Sequence, residues 1–132
     1  MTDETLLEEA LTRSVIGAFF DVYNGLDFGH FEHVYVLALE LELRERGHSV
    51  AREVSVPIFY RGRELTRQRL DMIVDGRLVV ETKSTLALHP TALRQLYSYL
   101  CATRLEVGLL LHFGPSAKFH RVISPNDRKG GA

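Results

Sequence analysis

A chain of 132 residues that is 45% hydrophobic and 25% charged has the composition of an ordinary globular protein and the length of a single compact domain, which needs neither disulfides nor a structural metal to fold. The lone Cys101 excludes a disulfide framework or a cysteine-rich zinc site. No apolar run approaches the roughly 20 residues of a membrane span, and the acidic start MTDETLLEEA is the reverse of a signal peptide, so a soluble cytoplasmic protein with no membrane partner is expected. The net charge of -1 would count against a nucleic-acid partner, because such affinity comes mostly from neutralising phosphates. That total hides a polarity. Residues 1–43 hold nine acids and one base, whereas residues 44–132 hold eight acids and fifteen bases.

In chain order, apolar residues at Leu11, Val15, Ala18 and Val22 recur at helical spacing from about Thr5 to Tyr23. Ile16, Phe19, Phe20 and Tyr23 widen that stripe beyond what one small sheet needs. Asn24-Gly25 ends the helix, and a Gly-bounded loop leads to a second helix from about Phe31 to Arg46, stopped by Gly47. Extended patterns follow at Val50–Tyr60, Gln68–Val74 and Leu78–Lys83, with Gly62 and Asp75-Gly76 as hairpin turns. A third helix after Pro90-Thr91 carries Leu93, Leu96, Tyr97 and Leu100 on one side, with Cys101 as a small core residue. Leu105–Phe113 reads as a buried strand and Ala117–Ile123 as an edge strand. The order α, α, β, β, β, α, β, β predicts an α/β fold, a mixed central sheet flanked by helices, over residues 1–125, with a loose tail at 126–132.

The segment Arg69 to Lys83 places charges inside strands that otherwise want burial, and a buried carboxylate is costly unless paired or bound to metal. Glu81 and Lys83 project from one face of a strand. A two-residue turn at Asp75-Gly76 would send Asp71 to the other face and mix charged with apolar positions. An odd loop, Val74-Asp75-Gly76 with Gly76 left-handed, pairs Asp71 with Val79 and gathers Asp71, Glu81 and Lys83, leaving Leu70, Met72, Leu78 and Val80 on the opposite face. That register is expected. Two hard carboxylates without thiolate or paired histidines suit Mg²⁺ or Mn²⁺, and the lysine can orient water or stabilise charge developing on a phosphate. A structural salt bridge between Lys83 and the acids is the alternative. The basic stretch Tyr60 to Arg69 is either a solvated turn or a phosphate-facing patch presenting Arg61, Arg63, Arg67 and Arg69.

Gly29-His-Phe-Glu32-His-Val-Tyr35 resembles the motif of the bacterial GxxExxY proteins, a group within the PD-(D/E)xK nuclease superfamily. Asp71 followed by Glu81-Thr-Lys83 resembles the superfamily's split acid and ExK. Gln95-Leu-Tyr-Ser-Tyr99-Leu100 is similar to the Gln/Tyr helix of RecB-like nucleases, and Gly108 to Phe113 to the family's next strand. The likeness spans roughly Ser14 to Ile123. It departs from the pattern at Asp27-Phe28-Gly29-His30-Phe31, where a Pro-Gly pair and two leucines are usual, and at Ser84, where a small apolar residue is common.

The resemblance implies a restriction-endonuclease-like fold in which Asp71, Glu81 and Lys83 are catalytic, and Glu32, Asp71, Glu81 and the Thr82 carbonyl hold the metal. Glu32 and Tyr35 lie at i and i+3 on a helix face continued by Leu39 and Leu43, so Glu32 points inward and needs a partner; a carboxylate favoured by the helix dipole is the lesser alternative. Gln95 and Tyr99 would hold Lys83 or a phosphate at the rim, or are ordinary polar groups at a helix–sheet seam. His89 is read as a capping or exposed residue, and no Ser-His-Asp order is present in the sequence. The expected function is a Mg²⁺- or Mn²⁺-dependent nuclease acting on nucleic acid, taken to be DNA. The rival is a non-catalytic subunit of a defence, repair or mobile-element assembly that keeps the fold. A homo-oligomer, a dimer first, or another protein partner would cover the broad face of the first helix.

Overall fold

The computed structural model describes residues 7–129 and holds two helices on one face of a five-stranded sheet and one helix on the other. The elements are α1 (Glu9–Leu26), α2 (Glu32–Glu45), β1 (Val50–Tyr60), β2 (Arg63–Val74), β3 (Leu78–Lys83), α3 (Ala92–Cys101), β4 (Val107–Phe113) and β5 (Ala117–Ile123). The order is the one the periodicities predict. The sheet runs β1-β2-β3-β4-β5, antiparallel throughout except for the parallel pair β3–β4, which α3 connects. Parallel strands require a crossover of this kind. Among the described residues, no helix is long and apolar enough to cross a membrane.

The apolar stripe of α1 packs with Tyr35, Leu39 and Leu43 of α2 over Met72, Val74, Leu78, Val80, Leu109 and Leu111 of the sheet. Aromatic rings bind these layers together: Tyr35 stacks on Phe113 at 4.2 Å and 18°, and Phe19 meets Phe113 edge-on at 4.8 Å. The breadth of α1 is therefore spent mostly inside the molecule, since Phe19 is fully buried and only Phe20 among its large residues is exposed. The predicted start of α1 near Thr5 lies outside the described residues. On the other face, Ala92, Leu96 and Leu100 of α3 pack on Leu70, Val79 and Leu110. Gly108 permits that approach, because a Cβ there would lie 2.8 Å from the Leu96 side chain.

Three expectations are corrected. The β2 strand begins at Arg63, five residues before Gln68, because Arg61 and Gly62, with φ of 50° and 73°, form a tight two-residue turn and the hairpin runs to its tip. Cys101 is exposed at the end of α3, not in the core. Residues 126–129 are docked: the Asn126 backbone N–H donates to Glu106 Oε2 at 2.9 Å, Asn126 Nδ2 donates to Arg104 O at 2.7 Å, and Lys129 Nζ donates to the Thr103 and Leu105 carbonyls. Composition suggested a loose tail; the carbonyls after α3 supply partners for it.

Candidate active site

The β2–β3 turn decides where the charged residues meet. Asp75 (φ 53°) and Gly76 (φ 65°) both adopt left-handed backbone, and the Arg77 N–H donates to Val74 O at 3.0 Å, so the loop is Asp75-Gly76-Arg77 and the ladder runs Val74–Leu78, Ile73–Val79, Met72–Val80. The expected pairing of Asp71 with Val79 is wrong by two positions. The loop is odd-numbered all the same, and Asp71 and Glu81 come side by side. Asp75 fixes the turn: its carboxylate accepts from Ser49 N–H at 2.8 Å and lies 2.7 Å from His48 Nδ1, which anchors it to the α2–β1 link.

Beyond Met72–Val80 the β2–β3 ladder stops and the two acids take over its hydrogen bonds. Asp71 N–H donates to Glu81 Oε1 at 2.9 Å, and Thr82 N–H and Oγ1 donate to Asp71 Oδ2 at 2.9 and 3.2 Å. The carboxylates thus sit in the seam between the strands. The strand also turns over here. Met72 packs under α1 and α2 while Leu70 packs under α3, and opposite Asp71 the ladder skips Glu53, whose φ is 52°. Leu70 is therefore not on the face of Met72 and Val80, because this local irregularity breaks the period of two.

Burial first, and then the neighbouring Asp71 charge, push the Glu81 carboxyl up to about 8, against opposing contributions from the Asp71 N–H and from Lys83. Glu81 is 5% exposed, and the Asp71 side chain beside it adds to the rise of its carboxyl. Glu32, in the first turn of α2, is raised by burial and by Asp71, and lowered by Lys83 and the Ser84 N–H. Burial, then Glu81 and Asp71, raise Tyr99 on α3. Glu32, Asp71, Glu81, Lys83 and Tyr99 therefore share one electrostatic environment, drawn from four elements distant in sequence.

Other predicted residues stand elsewhere. Tyr35 is fully buried; its hydroxyl donates to Asp27 O at 2.5 Å and accepts from His30 N–H at 3.2 Å, clamping the loop that delivers Glu32. Gln95 is exposed one turn before Tyr99. Arg61, Arg63, Arg67 and Arg69 are exposed along the β1–β2 hairpin and do not enter the carboxylate cluster. His89 is exposed just before α3, with Nδ1 accepting from the N–H of Thr91, the residue that begins the helix, at 3.1 Å.

Two residues were missed. Ser84, a departure from the family pattern, donates its hydroxyl to His30 O at 2.8 Å and its N–H to Glu32, tying the end of β3 to the start of α2. Arg52 lines, with Glu32, His33, Val36, Glu53 and Asp71, a hollow of about 160 Å³; its buried Nε has no partner, while Nη1 reaches Glu40 at 3.3 Å. A charged residue in a mostly apolar strand was its only signal.

A buried Glu81 beside a half-buried Asp71, with the Glu81 carboxyl raised by its own burial and then by the Asp71 charge, forms a donor set of hard oxygens whose repulsion a divalent cation would relieve. The fit is a two-carboxylate one. Among the described residues, no three or more His, Cys, Asp or Glu side chains converge closely enough to hold an ion by themselves, so Glu32 does not complete a ready-made cage with Asp71 and Glu81. Mg²⁺ commonly takes only one or two protein carboxylates and keeps several waters.

A second linked set lies apart from this cluster: Ser14 Oγ is 2.7 Å from His48 Nε2, and His48 Nδ1 is 2.7 Å from Asp75 Oδ2. Its residues follow one another as Ser14, His48 and Asp75, so the expectation of no Ser-His-Asp order is corrected; separations of 34 and 27 residues hid the set until the fold brought it together. Ser14 sits within α1, where backbone N–H groups are used by the helix itself, so the arrangement offers no oxyanion donors. It joins α1, the α2–β1 link and the β2–β3 turn.

Residues 9–122 match the family model of the PD-(D/E)XK nuclease superfamily. No curated protein matches the chain. Among solved structures, the crystal structure of SSO0001 superimposes with a TM-score of 0.56 at 23% identity, covering 70% of this chain and 50% of that one, so the chain spans about half the length of that neighbour. An alkaline exonuclease (LHK-Exo) from Laribacter hongkongensis matches at TM-score 0.46 and 13% identity, over 96% of this chain and 73% of that one.

Proposed function

The chain belongs to the PD-(D/E)XK nuclease superfamily, and from that premise we propose that it hydrolyses phosphodiester bonds of nucleic acid, DNA in particular, with Mg²⁺ or Mn²⁺ at Asp71 and Glu81. The observation that carries the reading is the exchange between Asp71 and Glu81, which holds two carboxyls together in a half-buried seam at the cost of leaving Glu81 neutral. A structural ion pair would not be built that way, because pairing Glu81 with Lys83 would hold its carboxyl below the ordinary value instead of raising it.

A divalent cation, when bound, supplies positive charge for the scissile phosphate and makes bound water more acidic. The chain's own groups do the rest. Asp71 and Glu81 present carboxylate oxygens from adjacent strands, with the Thr82 carbonyl as the further protein ligand. Thr82 N–H and Oγ1 fix the orientation of Asp71, and the Asp71 N–H fixes that of Glu81. Lys83 positions the attacking water or neutralises charge growing on the phosphate. Glu32 acts on water rather than as a direct ligand, and its α2 start is held in place by Tyr35 and Ser84. Tyr99 and Gln95 face a phosphate at the rim, and Arg61, Arg63, Arg67 and Arg69 contact the backbone further out. Affiliation with the GxxExxY group and likeness to RecB-type nucleases are part of this reading.

The test incubates purified protein with single- and double-stranded DNA and with RNA, with Mg²⁺ or Mn²⁺, alongside Lys83→Ala and Asp71→Ala. Cleavage lost in both variants is expected. Cleavage untouched by either would show that the site is misassigned, and no cleavage of any substrate by a stable oligomer would favour a non-catalytic subunit.

A further inference from the structure

The outer half of the β1–β2 hairpin leans toward the end of α3 and the docked segment at Lys129, and the three enclose an open groove of about 860 Å³. Val56 and Ile58 line it with apolar surface. Phe59 and Tyr60, at 60% and 57% exposure, stand at its outer end. The Arg61 guanidinium lies over the Tyr60 ring, 5.1 Å from its centroid. Across the groove are Arg104 and Lys129, and no carboxylate is among the described residues that line it. Lys129 gives two N–H donors to carbonyls and keeps a third. Exposed aromatic faces with several cations and no acid make a surface complementary to stacked bases and phosphates. It suits neither an acidic peptide, which would not need the rings, nor a lipid tail, which would not need the cations.

Duplex DNA hides its base faces, so the rings of Phe59 and Tyr60 have nothing to stack on unless the strand is unpaired. We propose that this groove holds unpaired nucleotides of the nucleic-acid strand that runs to the carboxylate cluster, with bases against Tyr60 and Phe59 and phosphates on Arg61, Arg104 and Lys129. The inference rests on the proposed nuclease reading and names its substrate class: single strands, or duplexes with a single-stranded end. Arg63 at the hairpin tip lies about 26 Å along β2 from Asp71. A strand must be long enough to span both places before it can use them together, so affinity should grow with length until it does.

The experiment measures binding in EDTA, where metal-dependent cleavage is absent. Fluorescence anisotropy follows labelled oligothymidylates of 4, 8 and 16 nucleotides and a blunt 16-bp duplex, against the full chain and Tyr60→Ala, Phe59→Ala and Arg104→Ala. Thermal melts check that each variant, altered at the surface, stays folded. The 16-nucleotide strand should bind at least tenfold tighter than the blunt duplex, affinity should climb between 4 and 8 nucleotides, and Tyr60→Ala should weaken single-strand binding about tenfold with little change for the duplex. Equal affinity for strand and duplex, or a Tyr60→Ala loss common to both, overturns the proposal. So does a dimer that dissociates in Tyr60→Ala, which would assign the rings to a second copy of the chain. Failure of the two readings is distinguishable: cleavage in Mg²⁺ that survives alongside Tyr60-insensitive binding removes the groove and keeps the nuclease, whereas Tyr60-dependent binding without cleavage keeps the groove and removes the nuclease.

Discussion

One hairpin, β2–β3, carries two carboxylate sites that are opposites. At its turn, burial alone would raise Asp75, but His48 and the N–H and hydroxyl of Ser49 more than offset it, and the carboxyl ends below its ordinary value. At the far end, ten residues along the chain from Asp71, Glu81 receives one backbone N–H and a neighbouring acid, and ends near 8. The first site is completed by the protein. The second is short of positive charge, and on the proposed reading that deficit is where a cation and a phosphate would fit.

The largest effect that would break this contrast is on cleavage. Lys83→Ala and Asp71→Ala should each lower the rate by about 10²–10³-fold in a gel assay with Mg²⁺, the first by removing positive charge at the phosphate and the second by removing a carboxylate that would hold the cation. Asp75→Asn should leave the rate within about twofold.

Next in size is the response of metal-free stability to pH. Glu81 has a folded pKa raised from 4.5 to about 8, so the unfolded chain releases this proton first as pH rises. Its contribution is therefore full below about 4.5 and is lost progressively up to about 8, a swing of a few kcal/mol. Urea titrations in EDTA should show it, and Glu81→Gln should flatten the profile. Added Mg²⁺ should restore stability at pH 8 to the parent protein and not to Glu81→Gln; a parent profile that rises between pH 5 and 8 would contradict the assignment of Glu81.

Asp75 carries the reverse sign. Its folded pKa is depressed, so its contribution is complete above about 3.8 and fades as pH falls through the lower folded value. Asp75→Asn should cost about 1–2 kcal/mol at pH 7 by loss of the His48 and Ser49 bonds, and the gap to the parent should close toward pH 2. His48→Ala should behave similarly at pH 7 and leave cleavage intact, since His48 bonds to Ser14 and Asp75 at the turn and not to the carboxylate cluster.

The smallest effect concerns the loop before α2. Tyr35→Phe keeps the stacked ring and removes only the hydroxyl bonds to Asp27 and His30, so it should cost about 1 kcal/mol in denaturant midpoint and reduce cleavage a few-fold through Glu32. Loss as severe as that of Lys83→Ala would make Tyr35 part of the reacting centre.

Much of the fold is legible in the residues themselves. The stripe Leu11, Val15, Ala18 and Val22, the β-branched runs of β1 and β3 and the Gly-containing turns determine the order and type of all eight elements, because periodicity is a local property. The grouping of Asp71 with Glu81 and Lys83 follows from alternation and the cost of burying charge. The seam is not legible: strands part at Asp71 because Glu53 opposite is left-handed and Leu70 turns toward α3, and no local pattern encodes that. Nor does sequence bring Ser84 to Glu32, Arg52 to Asp71, Asp75 to His48, or Arg104 and Lys129 to the hairpin tip. Chain order and composition thus determined which residues carry charge and which elements hold them. Only tertiary packing decided which charges lack partners, because compensation depends on burial and on donors arriving from elements far away in the chain.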